Sequence, residues 1–110
     1  MQTELPVVAG EPRLGLGAPD VAYATAVAAL LADRTRAAIL RMLADGPHWV
    51  CEMASALGER DNNVSNHLAR LREAGLVSAV RHESNARFLY YQRDETAVAA
   101  ALAALREVLG

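Results

Sequence analysis

The chain of 110 residues is long enough for one domain with its own core, and its 53% hydrophobic and 22% charged residues are typical of a globular protein. The single cysteine excludes an internal disulfide, and no apolar run approaches membrane-spanning length, so we expect a cytoplasmic protein without a membrane partner. The net charge of −2 excludes a uniformly basic surface, but residues 60–93 carry six arginines against three acidic residues, a local basic excess.

The N-terminal part divides into an arm and a first helix. Residues 1–19 hold three of the four prolines and three of the seven glycines, which predicts an irregular arm before a folded domain of residues 20–110. Asp20 is the N-cap candidate of a helix over 21–32 whose side chains are apolar on almost every side. Such a helix needs burial on more than one side, which a partner subunit would supply.

Three amphipathic helices follow, with apolar residues at helical spacing. They are predicted after Asp33, after Pro47 and from Asp61, and they end at Gly46, Gly58 and Gly75. The residues predicted to face inward are Ile39, Met42 and Leu43, then Val50, Met53, Ala54 and Leu57, then Val64, Leu68 and Leu71. The last two of these helices, joined by a tight link, form a helix-turn-helix pattern.

A hairpin and a last helix complete the chain. The β-rich segments 76–81 and 87–92 flank the polar stretch 82–86, which predicts a β-hairpin with a polar tip. The helix from Asp94 is again apolar with few charges, as an interface helix would be. The order α-α-α-α-β-β-α predicts a mostly α winged helix-turn-helix, with the hairpin as the wing and the first and last helices forming a dimer.

The fourth helix carries a polar face opposite its apolar one. Its members are Asn62, Asn63, Ser65, Asn66 and Arg70. Asparagine is a poor helix-interior residue, but it can read adenine in the major groove, while arginine reads guanine or phosphate. These residues are therefore predicted to contact double-stranded DNA, the alternative being a solvated face that begins with capping residues. His67 lies at the edge of the apolar stripe. Its side chain could either pack and bond to backbone groups or contact a DNA phosphate, and the sequence favours neither alternative.

The hairpin tip supplies a second group of candidate DNA contacts. They are Arg81, His82, Asn85 and Arg87, with Ser84 between them. A basic loop at this place can enter a minor groove or follow phosphates, whereas the alternative is an ordinary solvated turn.

The segments "LADRTRAAILRMLADG", "VCEMASALGERDNNVSNHLARLREAGLV" and "RFLYYQ" resemble the ArsR/SmtB family of metal-responsive repressors. The resemblance spans roughly residues 21–109. It implies a homodimer that represses an operon, commonly one for metal efflux or detoxification, and leaves its operator when an inducer binds. It also implies that the fourth helix reads DNA and that the hairpin is the wing.

The resemblance also directs attention to Cys51. Family members often carry Cys-Val-Cys-Asp-Leu on the third helix, where this chain has "WVCEM", so only the second cysteine position is kept. A second family site, on the last helix, lacks its histidines here. One cysteine per chain also excludes a three-thiolate arsenite site, even in a dimer.

Helical geometry gives Cys51 a possible partner. Cys51 points about 110° away from the apolar stripe of its helix, with His48 on the same flank at i, i+3. The pair could bind an inducing metal ion of the Zn, Cd, Hg or Pb class. Oxygens of Glu52, Glu4 or Glu11, or solvent, would have to complete such a site. A buried or inert thiol and a redox-sensing thiol are the alternatives.

Enzyme activity is not expected. The chain has no phosphate-cradling glycine loop, no HExxH and no CxxC, and Cys51 with His48 has no evident third catalytic member. A regulator without a metal site and a winged helix used for protein–protein contact remain as alternatives.

Overall fold

The computed structural model describes residues 19–82 and 85–110, with side chains for 21–81 and 89–110. Its elements are α1 (Pro19–Leu31), α2 (Arg34–Leu43), β1 (His48–Trp49), α3 (Val50–Leu57), α4 (Asp61–Glu73), β2 (Val77–His82), β3 (Asn85–Arg93) and α5 (Glu95–Leu109). The prediction of a mostly helical winged helix-turn-helix is confirmed. Most of the predicted arm, residues 1–18, lies outside the described residues, and α1 begins at Pro19 instead of after Asp20.

The core joins the helix-turn-helix to the hairpin. Its largest fully buried side chains are Ile39, Met53, Val64, Leu68, Leu71 and Leu76. Met42, Val50 and Leu57 pack against this cluster and are only partly buried. The apolar faces predicted for α2, α3 and α4 therefore do face inward.

The link between α3 and α4 depends on a glycine. Gly58 has φ 66° and ψ 33°, and its N–H donates to the carbonyl oxygens of Ala54 and Ser55 at the end of α3. This left-handed conformation carries almost no steric cost for glycine, and it ends α3 so that α4 can begin three residues later.

A short strand replaces the predicted beginning of α3. His48 and Trp49 pair antiparallel with Tyr91 and Tyr90, which gives a three-stranded sheet in the order β1-β3-β2. The Trp49 ring also packs edge-on against Tyr90, with ring centroids 5.4 Å apart. The backbone N–H of Trp49 donates to a carboxylate oxygen of Glu52 at 2.8 Å. Because β3 offers a free edge to these two residues, the helix starts at Val50.

The outer helices α1 and α5 pack against each other. Val27 of α1 and Ala101 of α5 are buried, but α1 has no distinct polar face. Within the described ranges, the large hydrophobic side chains that remain exposed all lie on these two helices: Tyr23, Leu102, Val108 and Leu109. None of the helices in residues 19–82 and 85–110 has the length and apolar character needed to cross a bilayer.

Asp33 caps the N-terminus of α2. Its carboxylate accepts a hydrogen bond from the N–H of Arg36 at 3.0 Å. This backbone N–H lowers the pKa of the Asp33 carboxyl, and partial burial opposes the shift. His67, when its ring is protonated, and the charge of Arg36 add to the lowering. The ionised form is therefore the one that stabilises the fold.

Asp33→Asn should lose stability in a pH-dependent way, because asparagine can still accept the cap hydrogen bond but carries no charge. A lowered carboxyl pKa stabilises the fold at neutral pH, and that contribution disappears as the pH falls through the lowered value. Urea unfolding of both proteins between pH 7 and pH 3 should show the largest difference in unfolding free energy near neutrality. A difference that stays constant down to pH 3 would contradict this role of the charge.

Candidate nucleic-acid interface

The rotation of α4 is set by three buried residues. Val64, Leu68 and Leu71 are each 0% exposed. At 100° per residue, their burial directs the opposite face of α4 outward. That face carries four of the predicted DNA-contacting residues in exposed positions: Asn62, Ser65, Asn66 and Arg70.

Asn63 differs from the other asparagines of α4. It is only partly exposed, and its side-chain nitrogen donates to a carboxylate oxygen of Glu59 at 2.6 Å. The carboxylate thus orients the Asn63 amide from four residues earlier in the chain. Sequence reasoning missed Glu59, although its i, i+4 spacing to Asn63 was a usable signal.

His67 packs against α2. Its side chain is 15% exposed, Nδ1 lies 3.3 Å from Nη1 of Arg36, and Nε2 lies 3.9 Å from a carboxylate oxygen of Asp33. Of the two alternatives given for His67, the structure therefore has the packed ring. Its polar partners are side chains of α2 and the α2 cap, not backbone groups.

The hairpin is longer than predicted. His82 and Asn85 lie in β2 and β3, so only residues 83–84 separate the strands, where a tip over 82–86 was predicted. The ladder shifts register between Arg81 and His82. Arg81 is exposed. The side chains of His82, Asn85 and Arg87 lie outside the described residues.

Not every arginine of the basic block faces solvent. Arg93, at the end of β3, is 17% exposed and makes two 2.9 Å hydrogen bonds to the carboxylate of Glu95, with a further bond of 3.4 Å to the carbonyl of Leu40. It joins the wing to α5 and α2. The other described arginines of the block, Arg60, Arg70, Arg72 and Arg81, are exposed.

Cys51 and His48 occupy different elements. Cys51 is exposed on α3, so the prediction of a thiol off the core face is confirmed. Of the alternative of a buried or inert thiol, the buried form is wrong, and the inert form stays an alternative. His48 lies in β1, so the assumed i, i+3 arrangement on one helix is wrong, and its Nδ1 is 3.6 Å from a carboxylate oxygen of Glu52. Among the side chains that the structure describes, those of residues 21–81 and 89–110, no three of His, Cys, Asp or Glu are grouped so that they could hold a metal ion.

Comparison with known proteins places this arrangement in a family. The family model described as "Bacterial regulatory protein, arsR family" matches residues 33–79, from the cap of α2 into β2. Reduced HlyU from Vibrio cholerae has a similar structure, with a TM-score of 0.63 and 32% identity over 79% of this chain and 88% of that chain. The chain belongs to the arsR family. Because this is a family of regulatory proteins, the prediction of a regulator instead of an enzyme is confirmed.

Two curated relatives are similar to about half of the chain. The HTH-type transcriptional regulator CmtR of Mycobacterium tuberculosis is 45% identical over 58 residues, which are 53% of this chain and 49% of that protein. The arsenical resistance operon repressor of Escherichia coli is 43% identical over 49 residues, or 44% and 42% of the two chains. The chain thus spans about half the length of the curated relatives it matches.

Proposed function

We propose that the protein is a dimeric, cytoplasmic transcriptional repressor that binds operator DNA with α4 and the β2–β3 wing. In this proposal a metal ion or thiol-reactive inducer acting near Cys51 releases the operator. The observation that carries the proposal is the exposed asparagine and arginine face of α4, directly opposite its fully buried face. A helix presented in this way by a helix-turn-helix can enter the major groove.

Charge and side-chain chemistry support DNA as the partner. The exposed Arg60, Arg70 and Arg72 lie on or beside α4, and Arg81 lies on the wing strand β2. Guanidinium groups bind phosphates, and asparagine amides read adenine edges, whereas a protein-docking surface needs neither set. The two curated relatives named above are a transcriptional regulator and an operon repressor.

Asn66→Ala and Arg70→Ala should each weaken binding to the protein's own upstream DNA relative to random DNA, by roughly 1–3 kcal/mol if the residue reads a base. Fluorescence anisotropy at several salt concentrations measures both affinities. Arg41→Ala is the matched control for Arg70→Ala, because Arg41 is an exposed arginine on α2. Wild-type protein that binds upstream fragments no better than random DNA would refute the proposed function.

The exposed apolar residues of α1 and α5 support the homodimer. Leu102 is 53% and Leu109 is 83% exposed, and Leu102 borders an apolar groove that Val27 and Leu31 of α1 also line. A second copy that covers this surface would remove it from water, which is the main favourable term in association.

Leu102→Glu should shift the protein from dimer to monomer, because a carboxylate would be buried without a partner at the interface. Multi-angle light scattering over a concentration series measures the mass. Ser55→Glu adds the same charge at an exposed position of α3 and should leave the dimer intact. Equal masses for wild type and Leu102→Glu at every concentration would argue against an α1–α5 interface.

The inducer is assigned to the surface around Cys51 on the basis of chemistry. Cys51 is exposed. His48 precedes it by three residues in the chain, and Glu52 follows it directly. A thiolate and an imidazole suit a borderline-soft ion, and further ligands would have to join them. The E. coli relative is a repressor of arsenical resistance, but one cysteine per chain cannot supply three thiolates to arsenite.

Cys51→Ser should raise the concentration of the inducing ion that is needed to release operator DNA, because serine is a far weaker ligand for soft metals. A gel-shift titration with Zn(II), Cd(II), Hg(II), Pb(II) and arsenite compares the variant with wild type. Ser55→Ala, one turn further along α3, serves as the control. If the same ion concentration releases operator DNA from Cys51→Ser and from wild type, Cys51 takes no part in the release. The protein would then be a regulator controlled by another signal.

A further inference from the structure

Arg36 connects three helices through its guanidinium group. Nε donates to the carbonyl oxygen of Leu30 at 2.8 Å, and Nη2 donates to that of Ala29 at 3.4 Å, both in the last turn of α1. Nη1 lies 3.3 Å from Nδ1 of His67 in α4. The last carbonyls of a helix lack partners within the helix and favour a cation, so Arg36 caps α1 while it reaches α4 from α2.

The acceptor on α4 is fixed by the chemistry of the pair. A guanidinium has only donors, so Nδ1 of His67 must accept and Nε2 carries the hydrogen. Nε2 faces the carboxylate of Asp33 at 3.9 Å. The imidazole is thus held between a donor and an anion, next to the exposed Asn66.

We propose that Arg36 and His67 are positioning residues, which set the orientation of the DNA-reading helix α4 relative to the dimerisation helix α1. This inference rests on the proposed function. α4 packs on α2, α3 and β2, while α1 packs on α5 and α2. The guanidinium of Arg36 therefore supplies a direct polar connection between the helix that would join the subunits and the helix that would read the bases.

The geometry of a dimer on DNA makes this connection important for specificity. Two reading helices must reach half-sites about 34–36 Å apart along the duplex. A change in the tilt of α4 relative to α1 occurs in both subunits, so it alters the separation of the two helices and misplaces both sets of base contacts. Phosphate contacts that are independent of sequence tolerate such a change better.

The test compares His67→Ala with His67→Asn in the full chain. In His67→Asn the amide oxygen takes the position of Nδ1 and can accept from Arg36, whereas alanine cannot, although alanine is the better helix former. At one salt concentration, His67→Ala should lower the ratio of operator to random-DNA affinity roughly tenfold, and His67→Asn should restore most of it. Thermal unfolding of both variants checks that they are folded.

Two results of this comparison would overturn the proposal. Equal losses on operator and random DNA, with a shallower salt dependence, would make His67 a phosphate contact. Failure of asparagine to rescue a folded protein would show that the acceptor at Nδ1 does not matter.

Arg36→Lys provides an independent check, since lysine keeps the charge but loses the planar fork. Its loss of specificity should resemble that of His67→Ala, and the double variant should lose little more than either single one. Strictly additive losses would mean that the two residues act separately, and the proposal would fail.

Hydrogen exchange on the free protein separates this inference from the proposed function. His67→Ala should speed amide exchange both in α4 and in the last turn of α1, and His67→Asn should reverse the effect. If wild-type protein fails to bind upstream DNA, the proposed function fails while this measurement still examines the link. Unchanged exchange at the end of α1 in His67→Ala would overturn the link itself.

Discussion

The burial of one face of α4 determines what the rest of the molecule can present. Val64, Leu68 and Leu71 are fully buried, and loss of any of these contacts would expose apolar surface worth about 1.5–3 kcal/mol per side chain. That energy fixes the helix in one rotational position. Asn66 and Arg70 are consequently held toward solvent without needing partners of their own to orient them.

The two outer helices have the opposite character. α1 and α5 bury part of their apolar surface against each other, yet Leu102 and Leu109 remain exposed. A domain of this size buries a limited share of its apolar surface by itself. The helix-turn-helix and the inner sides of α1 and α5 thus share one core, whereas the outer sides of these two helices still have surface that a second subunit could cover.

The helices and their inward faces could be predicted from the sequence because helical periodicity is local. Ile39, Met53 and Leu68 each fall in an apolar pattern that can be recognised within a few turns. The exposure of Cys51 followed from the same geometry. The strand β1 could not be predicted in this way, because two residues become a strand only when β3 offers them an edge.

The polar partners of the site were also beyond the reach of local patterns. His67 meets Arg36 across 31 positions of sequence, and Arg93 reaches the carbonyl of Leu40 across 53. Neither pair follows a periodic rule, since both depend on how α2 packs against α4 and the wing. Which residues of α4 are exposed could thus be read from the sequence, whereas the distant polar contacts of His67 and Arg93 could not.

The contact between Trp49 and Tyr90 gives the molecule an intrinsic optical reporter. Trp49 is the only tryptophan in the chain, and its ring meets Tyr90 where β1 runs into α3 beside the wing strand β3. Its emission therefore comes from a single junction, two residues from Cys51. Any event at the thiol that moves the wing relative to α3 would change the surroundings of this indole, so the unmodified protein reports on it without a label.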